Sequence, residues 1–516
     1  MQQFLETVFH LDAQNDIVGL QKFILSKPYG VEHVWVALQK LLAMGRVRSA
    51  YLLALMLDKA GHNHFFISLA LAAGGFDAGN AADEARGLRM LTAHADAMTF
   101  EQRETIFSKE NYLGQNYISP LMVNMLNSVL PKPGSAPLVM RVLDILKAAV
   151  PLFRDKFDWD APVPVYDWEK ARQQGREDAR ILVNPVPPKD APRVPRRAVV
   201  VWPKGHRGWG LRAATTLSRY GWQAEQYDRL LELSSATEFC RDLLALCQQK
   251  KVEVVMFELF GAGTQYLLDR VPILQELIVQ LRQQNPAIKV GGIMVDVHGG
   301  REQLIMEKMA DSFDVLWSYL PYPIPHYENP TWEKKVLRAW IPYCDGNMGT
   351  PDRPLLPQLL FDATIHAGSW SRVFWVAATD RLGLPITKHV NQFSYDSASY
   401  KSSPLGDYEA YMRRLGDATC CLLYSDFSVH GRTMEVPLMG SLLVQEEAIG
   451  MRGFFIPGEH FLEFSSIAEL AGLVRFITEH REEAEEIRRA GNAYARERYN
   501  DHRLVAELDY ALFFAD

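Results

Sequence analysis

Through its first 150 residues the chain places apolar side chains every three to four positions. Segments 31–44, 49–60, 65–71 and 82–95 fit this spacing and read as amphipathic helices. Gly45, Gly61 and the pair Gly74-Gly75 read as the breaks between them. Residues 45–60 and 62–73 suggest paired antiparallel helices of a solenoid, although no repeat is clear enough to name. Residues 1–150 are therefore expected to form an all-helical domain. Either it packs on the rest of the protein, or it docks a protein partner in the manner of a tetratricopeptide array.

The pattern changes at residues 151–197, a polar and Pro-rich connector that includes Pro185-Val-Pro-Pro-Lys-Asp-Ala-Pro192. Such a run favours extended backbone and marks a boundary. It also contains Asp158-Trp159-Asp160, a spacing that elsewhere holds a divalent cation at the end of a buried strand. Here no strand pattern precedes it, so no metal site is expected.

From residue 198 short apolar runs alternate with helical periods. Runs at 198–202, 252–257, 289–295, 315–319 and 336–341 read as buried strands. Helices fall between them at 211–220 and 272–284, and a glycine-rich loop occupies 203–210. A second series starts at 363–369 and continues through strands at 385–390 and 418–424. Alternation of this size predicts parallel sheets covered by helices on both faces. The expected domains are 198–345 and 346–516, two Rossmann-like doubly wound units facing each other across a cleft.

Composition alters this picture little. A chain of 516 residues exceeds one core, and 48% hydrophobic residues support full folding. A net charge of −7 argues against nucleic acid as a partner. The five cysteines form no Cys-x-x-Cys pattern, which suits free thiols in a reducing cytoplasm. The amino terminus lacks a basic signal-peptide start, and no apolar run approaches the ~18 residues that span a bilayer. A cytoplasmic protein with at most peripheral membrane contact is expected.

The densest chemistry lies in Gly431-Arg432-Thr433-Met434-Glu435-Val436-Pro437-Leu438-Met439-Gly440. It reads as a loop, a short helix opened by Thr433, a stop at Gly440, and a strand through 441–445. A carboxylate such as Glu435 in the first turn of a helix at a sheet edge can accept a ribose diol. The helix N-terminus and Arg432 can hold an attached diphosphate. A helix at 408–416 with a stop at Gly416 precedes this segment. The turn Phe454-Phe-Ile-Pro-Gly-Glu-His460 and helices at 465–480 and 481–499 follow it.

This ordered set, over residues 355–503, resembles the C-terminal half of GT-B glycosyltransferases of group 1. It is most similar to the branch that includes the spore-maturation CgeB-type proteins. Ile341-Pro-Tyr-Cys-Asp345 resembles the link at which such chains leave their first Rossmann-like domain, with Cys344 in place of a small residue. The resemblance implies a GT-B fold, a nucleoside-diphosphate sugar as co-substrate and no other cofactor. Many retaining relatives carry a second glutamate eight positions before the one matched by Glu435. Here that position is Phe427, which favours an inverting mechanism.

Gly368 and Ser369, at the end of the first strand of the second domain, are expected to approach the donor phosphates. Lys388, read as ending the next strand, is expected to offset phosphate charge; Arg432, Thr433 and Glu435 complete the donor set. The first domain is expected to supply the base. Val295-Asp296-Val297-His298-Gly299-Gly300 follows a buried strand, and an imidazole beside a carboxylate can accept a hydroxyl proton near neutral pH. Asp296, His298 and, in the glycine-rich loop, His206 are the candidates. The expected activity is metal-independent sugar transfer to a hydroxyl of a glycan or protein acceptor, with the N-terminal helices docking the latter. A scaffold on a degenerate GT-B body, or a sugar-nucleotide epimerase or hydrolase, are the alternatives.

Overall fold

The computed structural model describes residues 2–26, 30–97, 125–126, 129, 134–149, 155–158, 160–179, 181, 184, 194–201, 209–227, 236–258, 271–294, 309–318, 335–338, 340, 348–365, 371–392, 406–424, 431–448 and 450–514. The expected succession is present: an all-helical region, then two parallel sheets with helices between their strands. Among the described residues no helix is long and apolar enough to cross a membrane.

The helical region opens with α1 (Gln2–Ala13), α2 (Ile17–Leu25), α3 (Val31–Ala43), α4 (Val47–Lys59), α5 (Phe65–Asp77) and α6 (Ala81–Ala97). α5 and α6 begin 34 positions after α3 and α4. The turn inside each pair holds a left-handed glycine, Gly45 at φ 66° and Gly79 at φ 68°. The second helical pair thus repeats the first at a spacing of 34 positions, which residue types alone did not disclose.

Gly74 and Gly75 do not break a helix as expected; α5 runs through both. Its residues from Phe65 to Gly75 are all buried, so it is covered on every side. A Cβ on Gly74 would lie 2.2 Å from Cβ of Tyr51 in α4, and one on Gly75 would lie 2.4 Å from the backbone N of Glu84 in α6. These glycines permit close helix crossing.

The first sheet contains β1 (Arg197–Val201), β2 (Gln223–Tyr227), β3 (Val254–Glu258), β4 (Lys289–Met294), β5 (Val315–Ser318) and β6 (Val336–Arg338). Its order is β2-β1-β3-β4-β5-β6, and every pairing is parallel. The sequence pattern missed β2. It is an edge strand of composition Gln-Ala-Glu-Gln-Tyr, with only Tyr227 buried, so it carries no apolar run. Helices α9 (Trp209–Arg219), α10 (Ala236–Lys250) and α11 (Val271–Gln284) lie between strands.

The second sheet contains β7 (Leu359–Ile365), β8 (Ile386–Gln392), β9 (Cys420–Leu423), β10 (Leu442–Glu446) and β11 (Leu462–Phe464), in the order β11-β10-β9-β7-β8 and again parallel. Its helices are α12 (Ser371–Arg381), α13 (Gly406–Ala418), α14 (Gly431–Leu438), α15 (Ile467–Glu479) and α16 (Arg481–Arg498). The expected stop at Gly416 is displaced. α13 continues to Ala418, and Thr419 takes the left-handed conformation (φ 57°), its hydroxyl accepting the N–H of Leu356 at 3.0 Å. α17 (Asp501–Phe513) returns to the first sheet. Thr216 of α9 donates to Asp501, and Arg196 pairs with Asp509 while lying 3.6 Å from the Phe513 ring centre.

The described residues of the connector pack against the rest of the protein, whereas its Pro185–Pro192 run lies outside the described residues. α7 (Ser135–Ala149) packs on α12, and one continuous apolar core joins residues 4–143 to α12, α15 and the second sheet. Phe157 is fully buried, 4.7 Å from the Trp375 ring and 6.5 Å from Phe374, and Lys156 pairs with buried Glu446. α8 (Trp168–Asp178) lies against the turn at 457–460. A Cβ on Gly175 would come 2.4 Å from the Pro457 carbonyl, and Arg176 pairs with Glu459. Composition reads proline and charge but not the apolar contacts spaced between them. The helices cover apolar surface of the second sheet, so deleting residues 1–150 is expected to leave an insoluble or dye-binding remainder. Dye fluorescence and thermal melting of fragment 151–516 check this; a soluble fragment with a cooperative transition would contradict it.

At the same turn, His460 is buried, its ring stacked on Tyr494 at 4.1 Å and its Nδ1 accepting the N–H of Ile456. Burial pushes its pKa down to about 4, with the carboxylate of Glu459 opposing and Arg176 and Arg172 adding to the shift. Between pH 4 and the ordinary imidazole value of 6.5 the unfolded chain therefore binds the extra proton. The stability contributed by neutral His460 is complete above about pH 6.5 and is lost as pH falls toward 4, by on the order of 3 kcal/mol. Denaturant titrations at pH 7 and pH 4.5 should show a smaller pH difference in His460→Gln than in the wild type.

Candidate active site

Both sheets reverse their direction of strand addition at a definite point. In the first, β1 lies between β2 and β3; in the second, β7 lies between β8 and β9. Crevices at the C-terminal ends of strands flanking such a reversal are the ligand-binding positions of doubly wound folds. Three helices start there: α9 after β1, α12 after β7 and α14 after β9.

None of the three carries an acidic residue in its first turn. Each carries an arginine instead: Arg212 fourth in α9, Arg372 second in α12, and Arg432 second in α14. A cation at a helix N-terminus opposes the helix dipole and costs about 0.3–1 kcal/mol at an exposed site. Three such placements on the central strands favour an anion between them.

The arginines are already oriented. Arg372 is buried and its Nε donates to the Tyr424 carbonyl at 3.3 Å. Arg432 Nη1 donates to the backbone carbonyl of Asp362 in β7, and its guanidinium lies 5.6 Å from the ring centre of Tyr411. The Asp362 carboxylate, buried, accepts from Nε of Arg414 at 2.9 Å. Glu435 is 5% exposed, far more enclosed than an open cleft edge would leave it. Its Oε2 accepts from the Tyr411 hydroxyl at 3.0 Å, and its Oε1 lies 3.9 Å from Nη1 of Arg212, which is itself buried. That ion pair joins the first sheet's α9 to the second sheet's α14.

The expected donor residues divide accordingly. Arg432 and Glu435 are brought together around Tyr411. Thr433 does not open the helix, which begins at Gly431; its hydroxyl is fully buried and donates to the Gln445 side chain at 2.9 Å. That leaves only its backbone for a ligand. Lys388 does not end β8, which runs on to Gln392. It is the third of seven strand residues, and its ammonium pairs with Asp380 near the C-terminal end of α12, the end opposite the crevice. The longer strand has the physical cause that Val390 to Gln392 keep pairing with Ala363 to Ile365 of β7. Gly368, Ser369, His206, Asp296 and His298 lie outside the described residues, as do Ile341-Pro-Tyr-Cys-Asp345 and Phe427.

Asp158 and Asp160 are exposed on a turn in which the Asp158 carboxylate accepts the Asp160 N–H at 3.1 Å. Among the described residues no group of three or more His, Cys, Asp or Glu is placed to hold a metal ion. The sequence reading missed Arg212, Arg372 and Tyr411. An arginine in the first turn of each helix after a central strand was the available signal for the first two; Tyr411, set by helix orientation, had none.

Comparison with known proteins bears on residues 372–509, which match the family model described as Glycosyl transferase-like. The matched span contains Arg372, Tyr411, Arg432 and Glu435. No curated protein sequence matches the chain. Among solved structures, Anabaena HepE in complex with UDP-glucose superposes with a TM-score of 0.43 at 10% identity, covering 61% of this chain and 100% of that one. Sucrose-phosphate synthase from Thermosynechococcus elongatus gives 0.42 at 11% identity, covering 61% and 97%. A glycosyltransferase from Rickettsia africae gives 0.43 at 11%, covering 62% and 98%.

The Tyr411 hydroxyl donates to the buried Glu435 carboxylate, so Tyr411→Phe should cost about 1.5–3 kcal/mol of stability, the range for a hydrogen bond to a charged group. Urea unfolding of the two proteins measures it; equal midpoints would mean that the bond contributes nothing.

Proposed function

We propose that the protein is a glycosyltransferase that moves a sugar from a nucleoside-diphosphate sugar to a hydroxyl of a glycan or protein acceptor. The observation that carries this reading is the coincidence of two independent findings. The Glycosyl transferase-like match covers residues 372–509, and within it Tyr411 holds the Glu435 carboxylate while Arg432 and Arg372 donate to the carbonyls of Asp362 in β7 and of Tyr424 just after β9, the strands that flank the reversal of the second sheet.

In this reading Glu435 accepts the ribose hydroxyls of the donor, with Tyr411 fixing the carboxylate. Arg372, Arg432 and the N-termini of α12 and α14 hold the diphosphate, joined by the backbone at Gly368 and Ser369. The acceptor enters from the first domain. A base there, His298 with Asp296 or else His206, takes the hydroxyl proton as the acceptor oxygen bonds to the anomeric carbon. The bond from that carbon to the diphosphate oxygen breaks, and the diphosphate leaves with the electron pair. A single displacement inverts the anomeric configuration. The arginines stabilise the charge that develops on the leaving group, so no metal is needed for that purpose. The 34-residue helical array is read as the docking element for a protein acceptor.

The test is release of nucleoside diphosphate from a panel of nucleotide sugars, in EDTA, with and without glycan and peptide acceptors. Release is expected from one donor class, and Glu435→Gln should weaken nucleoside-diphosphate binding by about 10- to 100-fold, the loss of one charged hydrogen-bond partner. If calorimetry detects no nucleotide binding, the reading fails. If activity disappears in EDTA and returns with Mn²⁺, its metal-free part fails.

A further inference from the structure

A cavity of about 210 Å³ opens at the end of the second sheet away from the crevice, where β9 and β10 begin. Its walls are the entry segment 349–353, the last turns of α13, the residues that follow α14, and α16. Three arginines line it, each from a different segment: Arg353, Arg413 and Arg488. Two aspartates, Asp352 and Asp417, accompany them. Asp417 pairs with Arg353 at 2.5 Å, but both side chains are more than half exposed, and such a pair contributes little and yields readily. Asp352 accepts from the Thr350 hydroxyl. Arg413 is exposed and has no ion pair among the described residues.

We infer that this cavity is a binding site for a small oxyanion, a phosphate or a carboxylate, held by Arg488 and Arg413 with Arg353 turning from Asp417 toward it. Arg488 supplies the observation that points to a ligand. It is 1% exposed, yet its hydrogen bonds among the described residues all leave from one nitrogen. Nη2 donates to the Pro351 carbonyl at 3.0 Å, to the Arg353 carbonyl and to the Glu485 carboxylate at 2.9 Å. Nε, also buried, has no acceptor among the described residues. A guanidinium offers five donors, and a buried donor left without an acceptor is destabilising. Glu485 is shared with Arg489, so it compensates the buried charge of Arg488 only in part. An oxyanion supplies both the missing acceptor and the missing charge, and its geometry matches the guanidinium fork. Arg413, near the C-terminus of α13, could serve the helix dipole alone. That account does not extend to Arg353, which lies outside any helix, or to Arg488, which lies in the middle of α16. The site is separate from the crevice that holds Glu435 and does not rest on the nucleotide-sugar reading.

The experiment titrates orthophosphate and succinate into the full chain by calorimetry at constant ionic strength, in wild type, Arg413→Gln and Arg432→Gln. Saturable binding of one probe is expected, and which one it is tells phosphate from carboxylate. Arg413→Gln should weaken that binding by about 10-fold or more, the loss of one charged hydrogen-bond partner, whereas Arg432→Gln should leave it within about twofold. Arg413 is exposed, so its replacement keeps the fold, and coincident melting curves check this. The reverse pattern puts the ion in the crevice and overturns the inference. A like fall in both variants is a general charge effect and overturns it too. Equal affinity in all three proteins means an adventitious ion only, and no saturable binding of either probe means a cavity filled by water; each overturns it. UDP, GDP, ADP and CDP are titrated alongside. If none of them binds wild type while the anion pattern is as expected, the proposed function fails and this inference stands. If one binds and the anion pattern is absent, this inference alone fails.

Discussion

The inner strands of the second sheet are buried on both faces, and most of the molecule follows from that constraint. β9 and β10 are buried at every position, including the polar residues Gln445 and Glu446. A parallel sheet of this kind must be covered twice. One face is covered by α12 and, beyond it, by α7 and the helical array; Trp375, Phe374, Phe157 and Tyr424 form the joint, with Trp375 and Tyr424 stacked 5.2 Å apart at 5°. Burying each such ring contributes about 1.5–3 kcal/mol, which is large against the net stability of a domain. The helical region is accordingly continuous in energetic terms with the second domain. Phe157 of the connector joins the same core through Trp375 and Phe374.

The other face of the second sheet is where the two domains meet. Its apolar core includes Ala198, Val200, Val254 and Trp317 from the first sheet together with Leu360, Cys421, Leu443 and the inner residues of α14 and α17. Buried Arg488 of α16 fixes the entry to the second domain by donating to the Pro351 carbonyl at 3.0 Å, and Asn492 donates to the Pro437 carbonyl at 2.7 Å. Gly440, left-handed at φ 79°, has no room for a side chain, because a Cβ there would meet Thr350 at 2.6 Å. The end of α14 is thereby anchored, and with it the position of Glu435. Among the described residues the carboxylate is held by Tyr411 and Arg212, both on packed helices.

Much of this organisation is legible in the chain itself. Parallel strands buried on both faces produce continuous apolar runs, so nearly every central strand was readable, and helical periodicity marked the region before residue 150. Arg432 and Glu435 stood out because a cation and a carboxylate at the start of a short helix before a buried strand can serve a ligand as well as the helix dipole. The edge strand β2 was illegible because half its surface faces water, and the 34-residue array because its helices differ in how much of their surface is covered. Tertiary contact reversed three local readings. Gly74 and Gly75 look like breakers but admit Tyr51 and Glu84. Thr433 looks like a cap but is drawn inward by Gln445. Lys388 looks like a phosphate ligand, but β8 extends beyond it and Asp380 neutralises it. The sequence by itself determined the strand–helix alternation and the chemical types gathered after β9, because burial and helix periods are written in local spacing. Only the tertiary structure decided that Arg212 meets Glu435 and that Tyr411 holds it, because those contacts join residues 223 and 24 positions apart through the packing of two domains.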